Sequence, residues 1–408
     1  MIRTAKNFVH LIIALAANVL YGFPSRSMTV IGVTGTDGKT TTASLIYDIL
    51  QKSGKKAALL TTVSAVIDGK TYDTGFHVTT PSSVQLQKYF SIAKKKGITH
   101  FVLETTSHAL DQNRVFGVHY AVSVITNIAP EHLDYHKTYE QYVAAKAKIM
   151  KMSDTIVLNA EDMSFSYLKQ ILGTYTSKPH TVTFALHGKS DVTLDNYPLI
   201  VSMPGAFNKY NALAALACVL EVGVSYEEAK KIIKEFQTPR GRQEIVQEKP
   251  FTIMVDFAHT PTAFRALLSS IRAEYSGKII HVFGSAGERD KEKRPDMGKI
   301  SSVYADTIIL TAEDPRTEKV SDINAEIIRG IKSKRHKMVK NKTEKVFDDE
   351  SVIYQIPDRK EAIQFGISLA KKGDIVVITG KGHEQSMNFG QGEIPWSDHT
   401  VIKNIIKK

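Results

Sequence analysis

The sequence predicts an α/β protein made of two domains with mostly parallel sheets. Apolar runs typical of strands alternate with helical patterns almost throughout, as expected for sheets covered by helices on both faces. The chain has 408 residues, and because one core rarely grows beyond about 300 residues, two domains are expected. The stretch QTPRGRQE, with its proline, glycine and arginines, marks a boundary near residue 240.

The strands of the first half are predicted at MTVIGVTG, AALLTTV, HFVLETT, AVSVITNI and TIVLNA. Helical patterns such as TTASLIYDILQKSG and YEQYVAAKAKIMKMS separate them, and GAFNKYNALAALACVLEVG and SYEEAKKIIKEF close this half. The second half has predicted strands at FTIMVDFAH, KIIHVFGS, TIILTAED, SVIYQI and DIVVITGKG. The predicted domains are residues 28–240 and 241–408, preceded by an apolar arm of residues 1–27.

The arm contains the apolar run NFVHLIIALAANVLYGF after Arg3 and Lys6. No small-residue cleavage site precedes the first strand, which argues against a secretory signal. The run is short for a bilayer span and is interrupted by His10 and Asn18. We expect a helix packed on the protein, with contact to a membrane surface or to a partner as the alternatives.

Charge and cysteine content restrict the partners and the compartment. Lysine and arginine number 53 against 42 aspartates and glutamates, a net charge of +11, which favours anionic ligands such as nucleotides or acidic peptides. No nucleic-acid recognition motif accompanies this surplus, so a nucleic-acid partner is not expected. The single cysteine, Cys218, excludes a disulfide framework and a cysteine-built zinc site. We expect a cytoplasmic protein.

The stretch VIGVTGTDGKTTT predicts a strand, a phosphate-binding loop and the start of a helix. Glycines let backbone N–H groups approach a polyphosphate, and the N-terminus of the following helix attracts the anion. Lys39 is expected at the β- and γ-phosphates, and the hydroxyl of Thr40 at a magnesium ion. The common pattern would place glycine at position 33, where Val33 stands, so this loop is a variant.

Further polar groups follow predicted strands of the first half. Glu104 ends HFVLETT, and its carboxylate suits magnesium if that strand neighbours the phosphate loop. TNIAPEHLDYHKT gathers His132, Asp134 and His136, which fits a metal or a phosphate but matches no zinc spacing. On the following helix, Lys146 is interpreted, from the residues alone, as a solvated lysine.

Four polar loops of the second half each follow a predicted strand. They are DFAHTP, GSAGERDKEKRPDMG, EDPR and GKGHEQ. Because α/β proteins bind ligands at the carboxyl ends of parallel strands, these loops predict one shared site that faces the first domain.

In their order along the chain, these motifs resemble the Mur ligase family, and within it the tripeptide-synthetase (MurE) type. The stretches that carry the resemblance are GTDGKTTT, TTSHALDQNRV, TNIAPEHLDYHKTYEQYVAAKAKI, NKYNALAALA, RGRQE, VDFAHTPTAF, GERDKEKRPDMG, EDPR and GKGHEQ. The resemblance covers residues 28–408. It implies a central P-loop ATPase-like domain with a mostly parallel sheet, followed by a C-terminal Rossmann-like α/β domain that binds the amino acid.

The resemblance also implies an activity, that of an ATP-dependent amide ligase that adds a diamino acid to UDP-MurNAc-L-Ala-D-Glu in peptidoglycan synthesis. In such a ligase the acceptor carboxylate attacks the γ-phosphate of ATP, and the amine displaces phosphate from the resulting acyl phosphate. The implied cofactors are ATP and Mg²⁺, with Thr40 and Glu104 at one ion and His132 and a carbamylated Lys146 at the other. Lys39, Glu104, His132 and Lys146 are then the catalytic residues.

Substrate contacts are implied in the same way. Those for ATP are Gly35, Thr36, Asp37, Gly38, Lys39, Thr40, Thr41, Asn211, Arg242 and Asp256. Those for the muramoyl peptide are Thr79, Thr80, Thr106, Gln112 and Arg114. Those for the amino acid are Arg289, Glu313, Asp314, Pro315, Arg316, Gly380 and Glu384. We expect a monomer whose partners are these small molecules.

Three departures from the family pattern bear on the substrates. The diaminopimelate-type motif is usually D-N-P-R, whereas Glu313 and Asp314 occupy its first two places here. Arg316 can hold a distal carboxylate through two parallel hydrogen bonds, but an added carboxylate favours a distal ammonium, so diaminopimelate, lysine and ornithine all stay open. Thr106 replaces the common serine, and Phe257 replaces the usual tyrosine.

The family's N-terminal uridine-binding domain has no counterpart in this sequence, in which the arm precedes the phosphate loop. The acceptor is then expected either to be held through its sugar, phosphates and peptide, or to hang from another carrier such as a lipid. A partner protein that supplies the missing contacts is a third alternative. Two further hypotheses are a ligase for another acidic acceptor, such as a folate, and a nucleotide-binding module without catalysis.

Overall fold

The computed structural model describes residues 2–72, 80–331, 336–339 and 350–407. The chain divides into two compact units, Met1–Gln237 and Thr238–Lys408. Each unit has its own sheet and its own hydrophobic cores.

The strands of the first unit are β1 (Thr29–Thr34), β2 (Ala57–Leu60), β3 (Ala65–Ile67), β4 (Lys70–Tyr72), β5 (His100–Glu104), β6 (Tyr120–Ile125), β7 (Ser153–Asn159) and β8 (His180–Phe184). In the described residues they form one eight-stranded sheet in the order β4-β3-β2-β5-β1-β6-β7-β8. The strands from β2 to β8 in that order pair in parallel, and β3 and β4 add an antiparallel edge. The α/β class is confirmed, while the three-residue edge strands are too short to show a period in the sequence.

The helices of this unit are α1 (Ile2–Tyr21), α2 (Lys39–Lys52), α3 (Ser83–Lys95), α4 (Ser107–Asp111), α5 (Leu133–His136), α6 (Tyr139–Ala147), α7 (Phe165–Gly173), α8 (Ala206–Glu221) and α9 (Tyr226–Glu235). Successive strand residues face opposite sides of the sheet. Accordingly, Ile31 and Val33 belong to the core that contains α2, α8 and α9, whereas Val30 belongs to the core that contains α3 and α6.

The arm forms α1 and a short 3₁₀ turn, Pro24–Ser27. α1 packs against α3 and buries Ala14, Ala17 and Asn18, which confirms the expected helix on the protein. Among the helices that the structure describes, none is long and apolar enough to cross a bilayer.

The strands of the second unit are β9 (Glu244–Gln247), β10 (Thr252–Asp256), β11 (Ile279–Phe283), β12 (Thr307–Leu310), β13 (His336–Met338), β14 (Ser351–Gln355), β15 (Ile375–Thr379), β16 (Ser386–Asn388) and β17 (Glu393–Pro395). Its helices are α10 (Pro261–Glu274), α11 (Lys293–Tyr304), α12 (Val320–Ile328), α13 (Arg359–Leu369) and α14 (Asp398–Ile406). The main sheet has the order β13-β14-β12-β11-β15-β10-β9, in which only β9 is antiparallel among the described strands. The four predicted polar loops follow β10, β11, β12 and β15, which are consecutive neighbours in this sheet, so their carboxyl ends lie side by side.

Candidate functional site

The phosphate loop lies between β1 and α2, and two of its glycines are required by close neighbours. Gly38 has φ +78°, and a Cβ there would lie 2.1 Å from Oδ1 of Asn211. A Cβ on Gly35 would lie 1.9 Å from Oγ1 of Thr126. No larger residue fits either place. The structure thus brings Asn211, on α8, to the loop.

Residues after β6 fix the conformation of this loop. Oγ1 of Thr126 and Nδ2 of Asn127 both donate to the carbonyl of Asp37, at 2.7 and 3.0 Å. Oδ1 of Asn127 accepts the N–H of Asp37 at 2.9 Å. Nζ of Lys39 donates to the carbonyl of Thr36 at 2.7 Å. Thr126 and Asn127 were not predicted as site residues, although their strand pairs with β1.

A pair of oxygen-bearing side chains lies beside the loop. Glu104 is the register partner of Val33, and its Oε2 accepts a hydrogen bond from Oγ1 of Thr40 at 3.0 Å. Thr62 donates its hydroxyl to Oε1 and its N–H to Oε2, each at 3.0 Å. The prediction that Glu104 lies beside the phosphate loop is confirmed, and Thr62 is a supporting residue that sequence reasoning missed.

Lys146 is buried against the same loop. Its Nζ donates to the carbonyl of Gly35 at 2.5 Å and lies 4.6 Å from the centroid of the Tyr142 ring. Burial lowers the pKa of Lys146 well below its ordinary value, and the charge of Lys39 lowers it further. The interpretation of Lys146 as a solvated lysine is therefore wrong, because α6 directs this side chain into the core.

His132 lies at the start of α5 with φ +54°, and 46% of its side chain is exposed. Its ring centroid is 5.0 Å from that of His108 and 6.3 Å from that of Tyr142. Since the Tyr142 ring also contacts Lys146, the two predicted metal residues both lie next to this tyrosine.

The other members of the predicted polar group differ from His132. His136 is buried and its Nε2 lies 3.1 Å from Oγ of Ser107, while the side chain of Asp134 lies outside the described residues. In the part of the chain that the structure describes, no group of three or more His, Cys, Asp or Glu side chains is arranged to hold a metal.

Four of the predicted muramoyl-peptide residues lie together beside the end of β5. We call this group the acceptor cluster, and its members are Thr80, Thr106, Gln112 and Arg114. Oγ1 of Thr80 accepts the N–H of Thr106 at 3.1 Å, and its carbonyl accepts Nη1 of Arg114 at 3.0 Å. Nε of Arg114 donates to Oε1 of Gln112 at 2.9 Å. Thr79 lies outside the described residues.

Asp111 supports this cluster and was not predicted. Its carboxylate accepts hydrogen bonds from Nζ of Lys148 at 3.0 Å and from the hydroxyl of Tyr135 at 2.9 Å. The Tyr135 hydroxyl in turn accepts Nε2 of Gln112 at 3.3 Å. From α1, Nδ2 of Asn7 donates to the carbonyl and to Oδ2 of Asp111, at 3.0 and 3.1 Å.

In the second unit, Arg242 and Asp256, the two residues there that the resemblance assigns to ATP, lie close together. The carboxylate of Asp256 accepts the N–H groups of Gln243 and Ala258, at 2.7 and 2.6 Å. The guanidinium of Arg242 lies 4.3 Å from the centroid of the Phe257 ring. An aromatic face attracts such a cation, so phenylalanine in place of tyrosine retains this contact.

Glu313 lies buried at the carboxyl end of β12. Burial raises the pKa of Glu313 to about 8, against the opposing effects of Lys293, Arg359 and Lys381. A Cβ on Gly380 would lie 2.6 Å from Oε2 of this glutamate. Glycine at that position therefore leaves room for the Glu313 carboxyl group.

Lys381 joins two of the amino-acid loops, those after β12 and β15, and was not predicted, although it lies within GKGHEQ. Its Nζ donates to Oδ1 of Asp314 at 2.8 Å and contacts Oε2 of Glu384 at 2.6 Å. Oδ1 of Asp314 also accepts the N–H of Asn388 at 3.0 Å. The extra carboxylate of this chain's motif is therefore neutralised inside the protein.

Arg316 packs on the loop that follows β11. Its Nη1 donates to the carbonyl of Gly287 at 2.9 Å, and a Cβ on Gly287 would lie 1.9 Å from the carbonyl oxygen of Pro315. Arg289, two residues after Gly287, is exposed. The structure thus brings the predicted residues on the loops after β11, β12 and β15 to one edge of this sheet.

Residues 33–219 match the Mur ligase middle domain, and residues 241–382 match the family described as Mur ligase, glutamate ligase domain. The chain is 33% identical over 409 residues to UDP-N-acetylmuramoyl-L-alanyl-D-glutamate--2,6-diaminopimelate ligase 1 of Clostridium acetobutylicum, covering 95% of this chain and 80% of that protein. A ligase of the same name from Aquifex aeolicus, without the final numeral, is 36% identical over 413 residues, covering 96% and 80%. A solved structure of a UDP-N-acetylmuramoyl-L-alanyl-D-glutamate--2,6-diaminopimelate ligase is similar with a TM-score of 0.63 and 28% identity, covering 93% of this chain and 78% of that one.

Proposed function

The chain belongs to the Mur ligase family, and on that premise we propose that it is an ATP-dependent ligase that joins meso-diaminopimelate to UDP-MurNAc-L-Ala-D-Glu and forms ADP. One observation carries the proposal: the acceptor cluster is bonded directly to Glu104, since Oγ1 of Thr80 donates to its carbonyl at 3.2 Å. The acceptor carboxylate is thereby directed to the phosphate loop. Residues 28–240 serve ATP and the acceptor, and residues 241–408 serve the amino acid.

The chemical difficulty is that one anion must attack another. Lys39 and the backbone N–H groups of the phosphate loop neutralise charge on the γ-phosphate while the acceptor carboxylate approaches. Arg114 supplies the cation that holds the anionic acceptor. The amine of the amino acid then attacks the acyl phosphate and phosphate leaves.

Magnesium fits one position directly, because the hydroxyl of Thr40 and the carboxylate of Glu104 present oxygen atoms 3.0 Å apart. At the second position an ammonium on Lys146 does not fit a cation. The lowered pKa of Lys146 favours the neutral amine, which adds CO₂ and loses a proton to give a carbamate with oxygen ligands beside His132. Bound at these residues, Mg²⁺ offsets phosphate charge during the transfer.

Diaminopimelate is favoured over lysine because of the charges at the motif Glu313–Arg316. A substrate whose distal end carries an ammonium alone, as in lysine, would need a free carboxylate, but Asp314 is already neutralised by Lys381. In the described part of the chain, Arg316 bonds to a backbone carbonyl rather than to a carboxylate. Its guanidinium is therefore suited to the distal carboxylate of diaminopimelate, with Arg289 and Glu384 on the neighbouring loops.

The test is phosphate release from ATP with UDP-MurNAc-L-Ala-D-Glu and either meso-diaminopimelate, lysine, ornithine or no amino acid, with mass spectrometry of the product. We expect release that depends on meso-diaminopimelate and a tripeptide of matching mass. Turnover with lysine alone would overturn the assignment of Arg316, and no turnover with any of them would overturn the proposed acceptor.

A matched pair of variants separates charge from geometry. Arg316→Lys keeps the charge but loses the planar fork, so the KM for diaminopimelate should rise about tenfold or more. Arg265→Lys, at an exposed position on α10, should leave it unchanged. Equal KM values in the two variants would contradict the role of Arg316.

A further inference from the structure

α1 is inverted relative to an ordinary surface helix. Its outward side chains are large and apolar, and the six most exposed, at 48–78% exposed, are Phe8, Val9, Ile12, Leu15, Val19 and Leu20. Its inward side carries Ala14, Ala17 and Asn18, each at most 2% exposed. A water-facing helix normally buries its large apolar residues and exposes its polar ones. The outward face of α1 is therefore suited to contact with another apolar surface.

Hydrogen bonds fix this orientation. Nδ2 of Asn18 donates to the carbonyl of Phe116 at 2.8 Å, and a Cβ on Gly117 would lie 2.6 Å from Oδ1 of the same asparagine. One end of the helix is held by Asn7 on Asp111. Rotating α1 to hide its apolar side would break these contacts and leave the carbonyls of Asp111 and Phe116 without these donors.

The charged residues at the two ends of α1 are basic, whereas the carboxylate of Asp111, which Asn7 contacts, is paired with Lys148. The stretch Ile2–Tyr21 contains no aspartate or glutamate, and Lys6 and Arg26, near its two ends, are exposed. α3, on which α1 packs, ends in the exposed Lys94 and Lys95, and the next residue, Lys96, is exposed and paired with Asp68. A long apolar face bordered by lysine and arginine is typical of helices that lie in the interface of an anionic bilayer.

We propose that α1 is a docking surface for an anionic lipid bilayer, in which it lies in the plane of the interface with its outward face among the acyl chains. From Phe8 to Leu20, the side chains that can form hydrogen bonds are those of His10, which is half-buried, and Asn18, which is buried. A protein partner would therefore meet few hydrogen-bonding groups on this face, whereas protein interfaces carry about one hydrogen bond per 100–200 Å². Acyl chains need none. If the proposed function holds, docking brings the acceptor cluster near the bilayer, because Asn7 connects α1 to it through Asp111.

The test is co-sedimentation of the full chain with vesicles of phosphatidylcholine alone or with phosphatidylglycerol. We expect binding that requires phosphatidylglycerol and weakens with salt. Ile12→Ser with Val19→Ser should reduce the affinity about tenfold or more, because each change removes apolar area from the interface. Ile200→Ser with Met163→Ser removes side chains that are 61% and 60% exposed elsewhere on the first unit and should leave binding unchanged.

Three results would overturn the proposal. The first is that the unmodified chain does not bind vesicles, and the second is that the two paired variants lose the same vesicle affinity. The third is a dimer that the α1 changes abolish while neither the unmodified chain nor the variant binds vesicles, which would assign the face to a second copy. Sedimentation velocity without vesicles detects the last. Vesicle binding does not depend on catalytic turnover, so it can be measured even if the ligase assay fails. The α1 variants should still release phosphate from ATP in the absence of vesicles.

Discussion

Replacing Lys381 with methionine removes the buried cation that joins the amino-acid loops. Nζ of Lys381 bonds to Asp314 and Glu384 at 2.8 and 2.6 Å. Methionine has a similar length but no charge, so the variant leaves the carboxylates of Asp314 and Glu384 without the positive charge that both contact.

The expected loss of unfolding free energy is large because the three side chains are shielded from solvent. The Lys381 side chain is 0% exposed, and those of Asp314 and Glu384 are 10% and 15% exposed, so solvent screens the remaining charges little. Removing one partner of a buried ion pair costs about 3–5 kcal/mol of unfolding free energy. Lys403→Met, at an exposed position on α14, should change the unfolding free energy by less than about 0.5 kcal/mol.

Urea unfolding followed by tryptophan fluorescence measures this loss of unfolding free energy in the second unit, which contains Lys381. Trp396 is the single tryptophan of the chain, and its Nε1 donates to Asp398 in the second unit at 2.9 Å. Adding Asp314→Asn to Lys381→Met should restore part of the stability. Equal stability of Lys381→Met and Lys403→Met, or no recovery in the double variant, would refute the reasoning.

Three further predictions concern other parts of the molecule. Gly38→Ala should lower ATP affinity about tenfold or more in an equilibrium titration, because the new Cβ would meet Asn211; Gly54→Ala, with φ +79° but open space around it, should not, and equal affinities would contradict the steric argument. Burial raises the pKa of Glu313 from 4.5 to about 8, so the protonated form stabilises the fold at low pH and that stability is lost as pH rises towards 8. Glu313→Gln should flatten this dependence of the urea midpoint, and an unchanged slope would speak against it. Asn7→Ala removes two hydrogen bonds to the loop of the acceptor cluster, so the KM for the muramoyl dipeptide should rise about three- to tenfold with kcat little changed; a fall in kcat alone would exclude a positioning role.

The sequence could predict those site residues that end a strand next to a known loop. Glu104 is such a residue, because the parallel order places β5 beside β1 and a strand end points to the shared edge. Thr62, Thr126 and Asn127 were missed since nothing local distinguishes a supporting threonine or asparagine from a solvated one. Their role depends on which strands become neighbours, and that order is set by long-range packing.

Buried cations were the second class that the residues alone could not reveal. Lys146 has the same neighbours in sequence as any exposed helical lysine, and its burial is decided by the direction in which α6 meets the phosphate loop. Lys381 lies in a motif that was singled out, but its partners Asp314 and Glu384 come together only when β12 and β15 are in the same sheet. The antiparallel strands β3 and β4 were missed for a simpler reason, namely that strands of three residues are too short to show a period.

The contacts around the phosphate loop join segments that are made at very different times during synthesis. Thr40 and Glu104 are 64 residues apart, Gly35 and Lys146 are 111 apart, and Asn211 reaches the loop from still further along the chain. Contacts of such long range form late in folding. A nascent chain must therefore extend beyond α8 before its nucleotide pocket is complete, so we expect fragments that stop short of that helix to bind ATP poorly and to depend longer on chaperones.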